Sequence, residues 1–181
     1  MLFLYALYKQ ENLDREEQVI LVDEKDNPVG VMEKMEAHRK GLLHRAFSVF
    51  IFNSKGEMLL QRRALDKYHS AGLLTNTCCS HPRPGEETLA AAQRRLTEEM
   101  GLDVPLRYRT SFVYRTQFEN ELTEHEFDHV FFGVTDNDPR INASEAEGFA
   151  WMTVEKIKDR ISRYPEQFTS WFKIAMLKLF S

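Results

Sequence analysis

The stretch TNTCCSHPRPGEE, from Thr75 to Glu87, places two adjacent cysteines, a histidine, two prolines and two carboxylates within thirteen residues. Cys78 and Cys79 are the only cysteines in the chain. Neighbouring cysteines rarely bridge each other, because the ring they would close is strained. A cysteine metal site would want a spacer of the C-x-x-C kind. What remains is two inert thiols, or one inert thiol and one that serves as nucleophile or base. If the segment is extended, the two side chains point to opposite faces. Further on, Arg95, Glu98 and Glu99 stand at i, i+3 and i+4, which share one face of a helix. Carboxylates so placed can converge on a divalent ion, and an arginine beside them can grip a diphosphate oxygen with both arms of its fork. The other meaning of RRLTEE is a solvated face laced by ion pairs.

These residues need a scaffold, and the sequence outlines one. QVILVD (Gln18 to Asp23) reads as a strand and the EKDNPVG after it as a turn. AFSVFIF (Ala46 to Phe52), NSKGE and MLLQRR (Met58 to Arg63) read as a hairpin, whose first strand is apolar on both faces and so belongs inside a sheet covered on both sides. From Glu86 to Met100 the pattern is helical, with Leu89, Gln93, Leu96 and Met100 along one side and Gly101 as the stop. Strands are expected around Leu106 to Phe118, Phe127 to Thr135 and Phe149 to Met152, then helices near Val154 to Arg163 and Pro165 to Phe180. Strands interleaved with helices over this length describe an α/β sandwich around a mixed sheet.

Composition sets the outer limits. A chain of 181 residues, 43% hydrophobic with a net charge of −4, suits one domain with one sizeable core. The balance is not basic, which argues against nucleic acid or a membrane surface as partner. Two cysteines without separate partners argue for a reducing, cytoplasmic setting. The opening MLFLYALYKQ is too short to span a bilayer and lacks the features of a signal peptide. It is expected to pack on the domain as an extra strand or helix.

The stretch Ser80 to Leu102 resembles the Nudix box over its whole length, a loop–helix motif in which carboxylates hold divalent metal against a diphosphate. Two departures stand out: Ser80 replaces the leading glycine, and Arg95 replaces the first of the clustered glutamates. With Glu98 and Glu99 kept, such a site is fit to bind a magnesium diphosphate but poorly equipped to gather several metals for hydrolysis.

TNTCCSHP before a degenerate box looks like type I isopentenyl-diphosphate isomerase, a branch of the Nudix fold. Other segments agree in order along the chain: EKMEAHRKGLLHRAFS (Glu33 to Ser48), QRRALDKY (Gln61 to Tyr68), FVYRTQFENELTEHEFDHVF and FTSWF (Phe168 to Phe172). The resemblance runs from about Gln18 to the end. It implies a single domain over residues 1–181, with 1–16 as an extension outside the match. The implied fold is α/β (α+β), a Nudix-like sandwich of a mixed β-sheet between helices. The implied activity moves the double bond between isopentenyl and dimethylallyl diphosphates through a tertiary cationic state, which needs an acid, a base and electron-rich walls around a buried C5 skeleton.

By the same resemblance Cys79, which stands two before His81, is the catalytic thiol, and Cys78 a small buried hydrophobe. Glu126 is the second acid/base group, oriented by Tyr114, and Tyr114 and Trp171 are aromatic walls that stabilise positive charge. His38, His44, His81, Glu124 and Glu126 form a metal site for Mn²⁺, Mg²⁺ or Zn²⁺. Glu99 holds a Mg²⁺ that arrives with the diphosphate, and Lys34, Arg63, Lys67 and Arg95 grip the phosphates. His69, His125 and His129 are read as surface or capping residues. The expected partner is a small prenyl diphosphate, met by a monomer. A Nudix hydrolase and a non-catalytic diphosphate-binding domain are the rival readings; Arg95 and Cys79 weigh against the first.

Overall fold

The computed structural model describes residues 18–67, 69–118 and 121–181; MLFLYALYKQ lies outside them. In chain order the described elements are β1 (Gln18–Val22), β2 (Pro28–Glu33), α1 (Lys34–Lys40), β3 (His44–Phe52), β4 (Glu57–Arg63), β5 (Leu74–Thr75), β6 (Cys78–Ser80), α2 (Thr88–Met100), β7 (Arg107–Gln117), β8 (Thr123–Val134), β9 (Ala146–Thr153), α3 (Val154–Arg163) and α4 (Ser170–Phe180).

Side chains alternate across a strand, and β3 uses both faces. Phe47, Val49 and Ile51 pack with Ala91, Ala92, Leu96 and Met100 of α2. Phe50 packs on the opposite side with Ile157 of α3 and Phe172, Ala175 and Met176 of α4. The sheet therefore lies between helices, with β3 at its centre. One edge of β3 pairs with β8 in parallel, from His44↔Glu126 to Phe52↔Val134. The other edge is shared along its length by β1 at His44, β6 at Phe47 to Val49, and β4 at Phe52. The sheet is mixed, as expected. No helix among the described residues is long and apolar enough to cross a membrane.

The expected hairpin is only partly zipped. β3 and β4 pair at Phe52↔Met58, and the long partner of β4 is β9, from Glu57↔Thr153 to Arg63↔Ala146. The chain from Leu74 to Ser80 enters the split, pairing first with β4 and then with β3. Polar side chains of the TNT triplet join the two sides. Thr77 Oγ1 accepts from Ile51 N at 3.0 Å and donates to the Leu59 carbonyl at 2.7 Å. Asn76 Nδ2 donates to the carbonyls of Val49 and Cys78 at 3.2 and 2.8 Å. All of these groups are buried, where a backbone group left without a partner is costly. The three polar residues before the cysteines thus serve the sheet.

Several local expectations need correction. The turn after β1 is confined to Asp23–Asn27, where the Asp23 carboxylate accepts from Lys25 N and from Asn27 N and Nδ2. Pro28 then opens β2, a position a strand tolerates because its first residue can do without an N–H. The buried face of α2 is Ala91, Ala92, Leu96, Glu99 and Met100, while Leu89 is 41% exposed and Gln93 also faces solvent; the small alanines admit the closest approach to the sheet. The tail is not one helix from Pro165. A short 3₁₀ turn, Pro165–Gln167, is followed by two extended residues before α4. Thr169 N bonds the Leu74 carbonyl at 3.0 Å and its hydroxyl reaches Thr75 at 3.1 Å, which holds the chain extended there. Gly101 does end α2, in left-handed conformation (φ 61°), and a Cβ there would stand 2.7 Å from the Arg140 carbonyl oxygen.

Candidate active site

Three short elements and one strand register bring the histidines together. Glu33 caps α1, accepting from Met35 N and Glu36 N, and Gly41 ends it with a left-handed residue. This short helix turns His38 inward, 2% exposed. His44 opens β3 directly beside Glu126 of β8, and His81 follows β6. The ring centroids of His38, His44 and His81 lie 5.0–5.7 Å apart. One donor atom from each, with one from Glu126, falls within 4.8 Å of all the others.

His81 Nε2 is 3.0 Å from Glu126 Oε1, whereas His44 Nε2 is 3.6 Å away, too long for a hydrogen bond. His44 Nδ1 lies 2.8 Å from the Leu42 carbonyl, which can only accept. Nδ1 therefore bears a proton, which in the neutral ring leaves the Nε2 lone pair facing the cluster. Burial, reinforced by the neighbouring His81 and His44, pushes His38 down to about 3. Burial also lowers His81, against the pull of Glu126. For Glu126 burial acts upward, but the two imidazoles outweigh it and hold the carboxyl well below the usual range. Neither ring nitrogen of His38, nor His44 Nε2, has a hydrogen-bond partner among the described residues, although all are buried. Neutral imidazoles with buried lone pairs around one carboxylate can hold a divalent metal ion.

The expected fifth ligand stands apart. Glu124 is not one of the four, although it shares a face of β8 with Glu126. Tyr114, opposite Glu126 in the β7–β8 pair, places its Oη 2.6 Å from Glu126 Oε2 and 3.1 Å from Glu124 Oε2. Burial and the Glu126 charge raise the Glu124 carboxyl well above its ordinary value. Asp128, next on that face, accepts from Ser48 Oγ at 2.8 Å and is pushed up to about 8, first by burial and then by Glu126.

The cysteine pair divides as the extended segment requires. Cys78 is fully buried in the core under α2, while Cys79 packs with the opposite core and lines a cavity of about 180 Å³. Burial drives the Cys79 thiol well above its usual range, and Arg63 only partly offsets this. The same cavity is lined by Tyr114, Trp171, Glu124, Glu126, Glu99 and all four expected cations, Lys34, Arg63, Lys67 and Arg95. Cys79 and Glu126 sit on strands flanking β3 on either side, two strand spacings apart, roughly 10 Å in the pairing direction.

The cations are already engaged. Arg95 reaches Glu98 at 3.0 Å, Glu99 at 2.7 Å and Glu145 at 3.1 Å. Lys67 Nζ donates to Glu145 at 2.6 Å. Arg63 lies over the Trp171 ring, 5.2 Å from its centroid. Burial lowers Lys34, helped by Arg95 and Lys67. The two box glutamates part company. Glu99 turns into the buried side, where Gln61 Nε2 donates to it at 3.0 Å, while Glu98 stays on the outer face with Arg94 and Arg95. Arg94 forks onto Glu86 at 2.7 and 2.8 Å, pinning the loop to the helix.

Four lining residues, Gln61, His69, Ser80 and Glu145, are not assigned to the site by the sequence. Gln61 shares a strand face with Arg63, and that two-residue spacing was a usable signal. His69, read as a surface residue, is instead a cavity wall; burial, then Arg63, lowers it to about 3. Glu145 meets Lys67 and Arg95 only through the tertiary fold, and no local pattern marks it.

A mixed sheet between helices, with the loop–helix from Ser80 to Leu102 beside a metal-ready cluster, defines a Nudix domain, and the NUDIX domain family matches residues 42–172. A crystal structure from Deinococcus radiodurans shares this fold at a TM-score of 0.78 and 24% identity, covering 91% of this chain and all of that one. An isopentenyl-diphosphate Delta-isomerase of Pectobacterium atrosepticum is 55% identical over 90% of this chain and 90% of its own length. Isopentenyl-diphosphate Delta-isomerase 2 of Aromatoleum aromaticum is 52% identical over 92% and 88%. The chain belongs to the isopentenyl-diphosphate Delta-isomerase family.

Proposed function

We propose that the chain catalyses the 1,3-allylic rearrangement of isopentenyl diphosphate to dimethylallyl diphosphate. The observation that carries this reading is one cavity in which a thiol, a carboxylate and two aromatic rings stand beside four cations. The terminal alkene carbon must gain a proton and C2 must lose one, while the diphosphate stays intact. Cys79 and Glu126, on strands either side of β3, are the groups that exchange those protons. Tyr114 fixes the Glu126 carboxyl through its 2.6 Å contact. The rings of Tyr114 and Trp171 face the developing tertiary cation, which is favoured over an aromatic face. Lys34, Arg63, Lys67 and Arg95 hold the diphosphate, and Glu99 would share a Mg²⁺ with it.

His38, His44, His81 and Glu126 would hold a second divalent ion, with Glu124 as the expected fifth ligand. The three nitrogens favour Mn²⁺ or Zn²⁺ over Mg²⁺. Such an ion, when bound, supplies a fixed positive charge that orients the Glu126 carboxyl and tunes its basicity. The free thiols of Cys78 and Cys79 support a cytoplasmic setting.

Incubation with isopentenyl diphosphate and Mg²⁺, followed by proton NMR, tests the reading. Dimethylallyl diphosphate is the expected product; released phosphate would point to a hydrolase, and no conversion to a binding domain.

Glu145 adds an electrostatic test. It already occupies Lys67 and Arg95, so it competes with an incoming diphosphate for the same donors. Glu145→Gln is expected to tighten inorganic diphosphate binding several-fold in a calorimetric titration. Weaker binding would show that the carboxylate's main effect is to position the two cations.

A further inference from the structure

The buried Glu99 carboxylate is held at both of its oxygens. Arg95 donates to Oε1 at 2.7 Å, and Gln61 Nε2 donates to Oε2 at 3.0 Å. The two donors differ in what else they serve. Arg95 also reaches Glu98 and Glu145 and is one of the four cations around the cavity. Gln61 has no charge to give a phosphate and is 3% exposed. Its strand is paired on both edges at that residue, with Thr75 of β5 and Phe149 of β9. A carboxylate only accepts, so the amide must turn Nε2 towards Glu99. The same nitrogen lies 3.4 Å from Met100 Sδ. The Cys78 thiol also bonds Glu99, but a thiol is a weak donor.

We propose that Gln61 is a positioning residue: it fixes the plane of the Glu99 carboxylate, so that Oε1 is the oxygen offered to the ion of a magnesium diphosphate. The inference rests on the reading of Glu99 as a ligand to that ion. One carboxylate beside phosphate oxygens is a donor set that suits Mg²⁺, and Glu99 lines the cavity together with the cations. When the diphosphate draws Arg95, Oε1 is released and Gln61 still holds the carboxylate. A neutral amide suits this task better than a second cation would. It restrains the carboxylate without neutralising it, which leaves the negative charge for the ion. Partners of this kind, one step removed from the metal, are worth about 10–100-fold in metal affinity.

Calorimetry with inorganic diphosphate, with and without Mg²⁺, reads the effect as the gain in affinity that Mg²⁺ brings. Gln61→Met keeps the length of the side chain and removes the donor. It is expected to cut that gain by roughly tenfold or more, while the Mg²⁺-free affinity, set by the four cations, stays as it was. Glu99→Gln is expected to abolish the gain. Adding Gln61→Met to that variant should change nothing further, since the amide acts through the carboxylate. If Gln61→Met does not fold, Gln61→Asn, whose amide falls one methylene short, is expected to lose part of the gain. A gain unchanged in these variants, an equal loss with and without Mg²⁺, or no gain in the unaltered protein overturns the proposal. Turnover of isopentenyl diphosphate is measured separately: its absence sinks the isomerase reading, while the Mg²⁺ gain still reports on Gln61.

Discussion

Replacing Cys79 by alanine is expected to lower turnover of isopentenyl diphosphate by about 10²–10⁴-fold, the range associated with loss of one proton-transfer group. Folding and diphosphate affinity should change little, since the side chain is small and takes no part in the Lys67–Glu145–Arg95 contacts. Cys78→Ala should keep most activity and instead cost stability, because Cys78 fills the core against Ala91, Leu96 and Met100. Single-turnover kinetics and a denaturant titration on both variants separate the two effects. A Cys78 variant that lost turnover while the Cys79 variant kept it would reverse the assignment within the pair.

The second large effect concerns the histidine cluster. His44→Ala should reduce metal content, read by elemental analysis of protein purified without a histidine tag, and turnover should fall with it by more than about 100-fold. His44 contributes a lone pair whose direction the Leu42 carbonyl fixes, and it lies beside Glu126 by strand register, so no neighbouring side chain can replace it. Excess metal should restore activity only in part, because the remaining ligands no longer define the Glu126 carboxyl. Chelator-treated protein that held no metal yet kept full activity would show that these residues serve another purpose.

The elements that carry the site were legible where chemistry is local. The double-sided hydrophobicity of β3 announced a central strand, Gly101 announced the end of α2, and the adjacent cysteines could only face apart once extended. Legibility failed where the decisive partner lies far along the chain. Phe52 and Met58 do pair, yet nothing in AFSVFIF or MLLQRR shows that residues 74–80 divide the rest of that hairpin. Leu89 looked like a core residue by spacing, but the sheet is approached through Ala91 and Ala92, whose small size matters more than their hydrophobicity. Histidines resist sequence reading most of all. His38, His44 and His81 stand out as candidate ligands only through resemblance, and His69 is overlooked because its surroundings come from Phe118 and Trp171, neither near it in sequence. Glu124 shows the limit of strand periodicity: it shares a face and the Tyr114 hydroxyl with Glu126, but not the three imidazoles of the cluster.

The insertion of residues 74–80 between β3 and β4 also bears on the order in which the chain assembles. Hairpins close in about 1–10 μs, and β3 and β4, like β1 and β2, are separated by a short turn, so their direct pairing is open early to the chain. If that pairing runs on beyond Phe52↔Met58, it must reopen there so that Asn76 and Thr77 can take over the backbone groups of Val49, Ile51 and Leu59. Refolding followed by tryptophan fluorescence should accordingly show a phase much slower than hairpin closure; refolding in one fast phase would exclude the detour. On that route the strand that delivers Cys79 to the cavity arrives late, and a chain caught before it enters would hold a nearly complete sheet with no thiol at its centre.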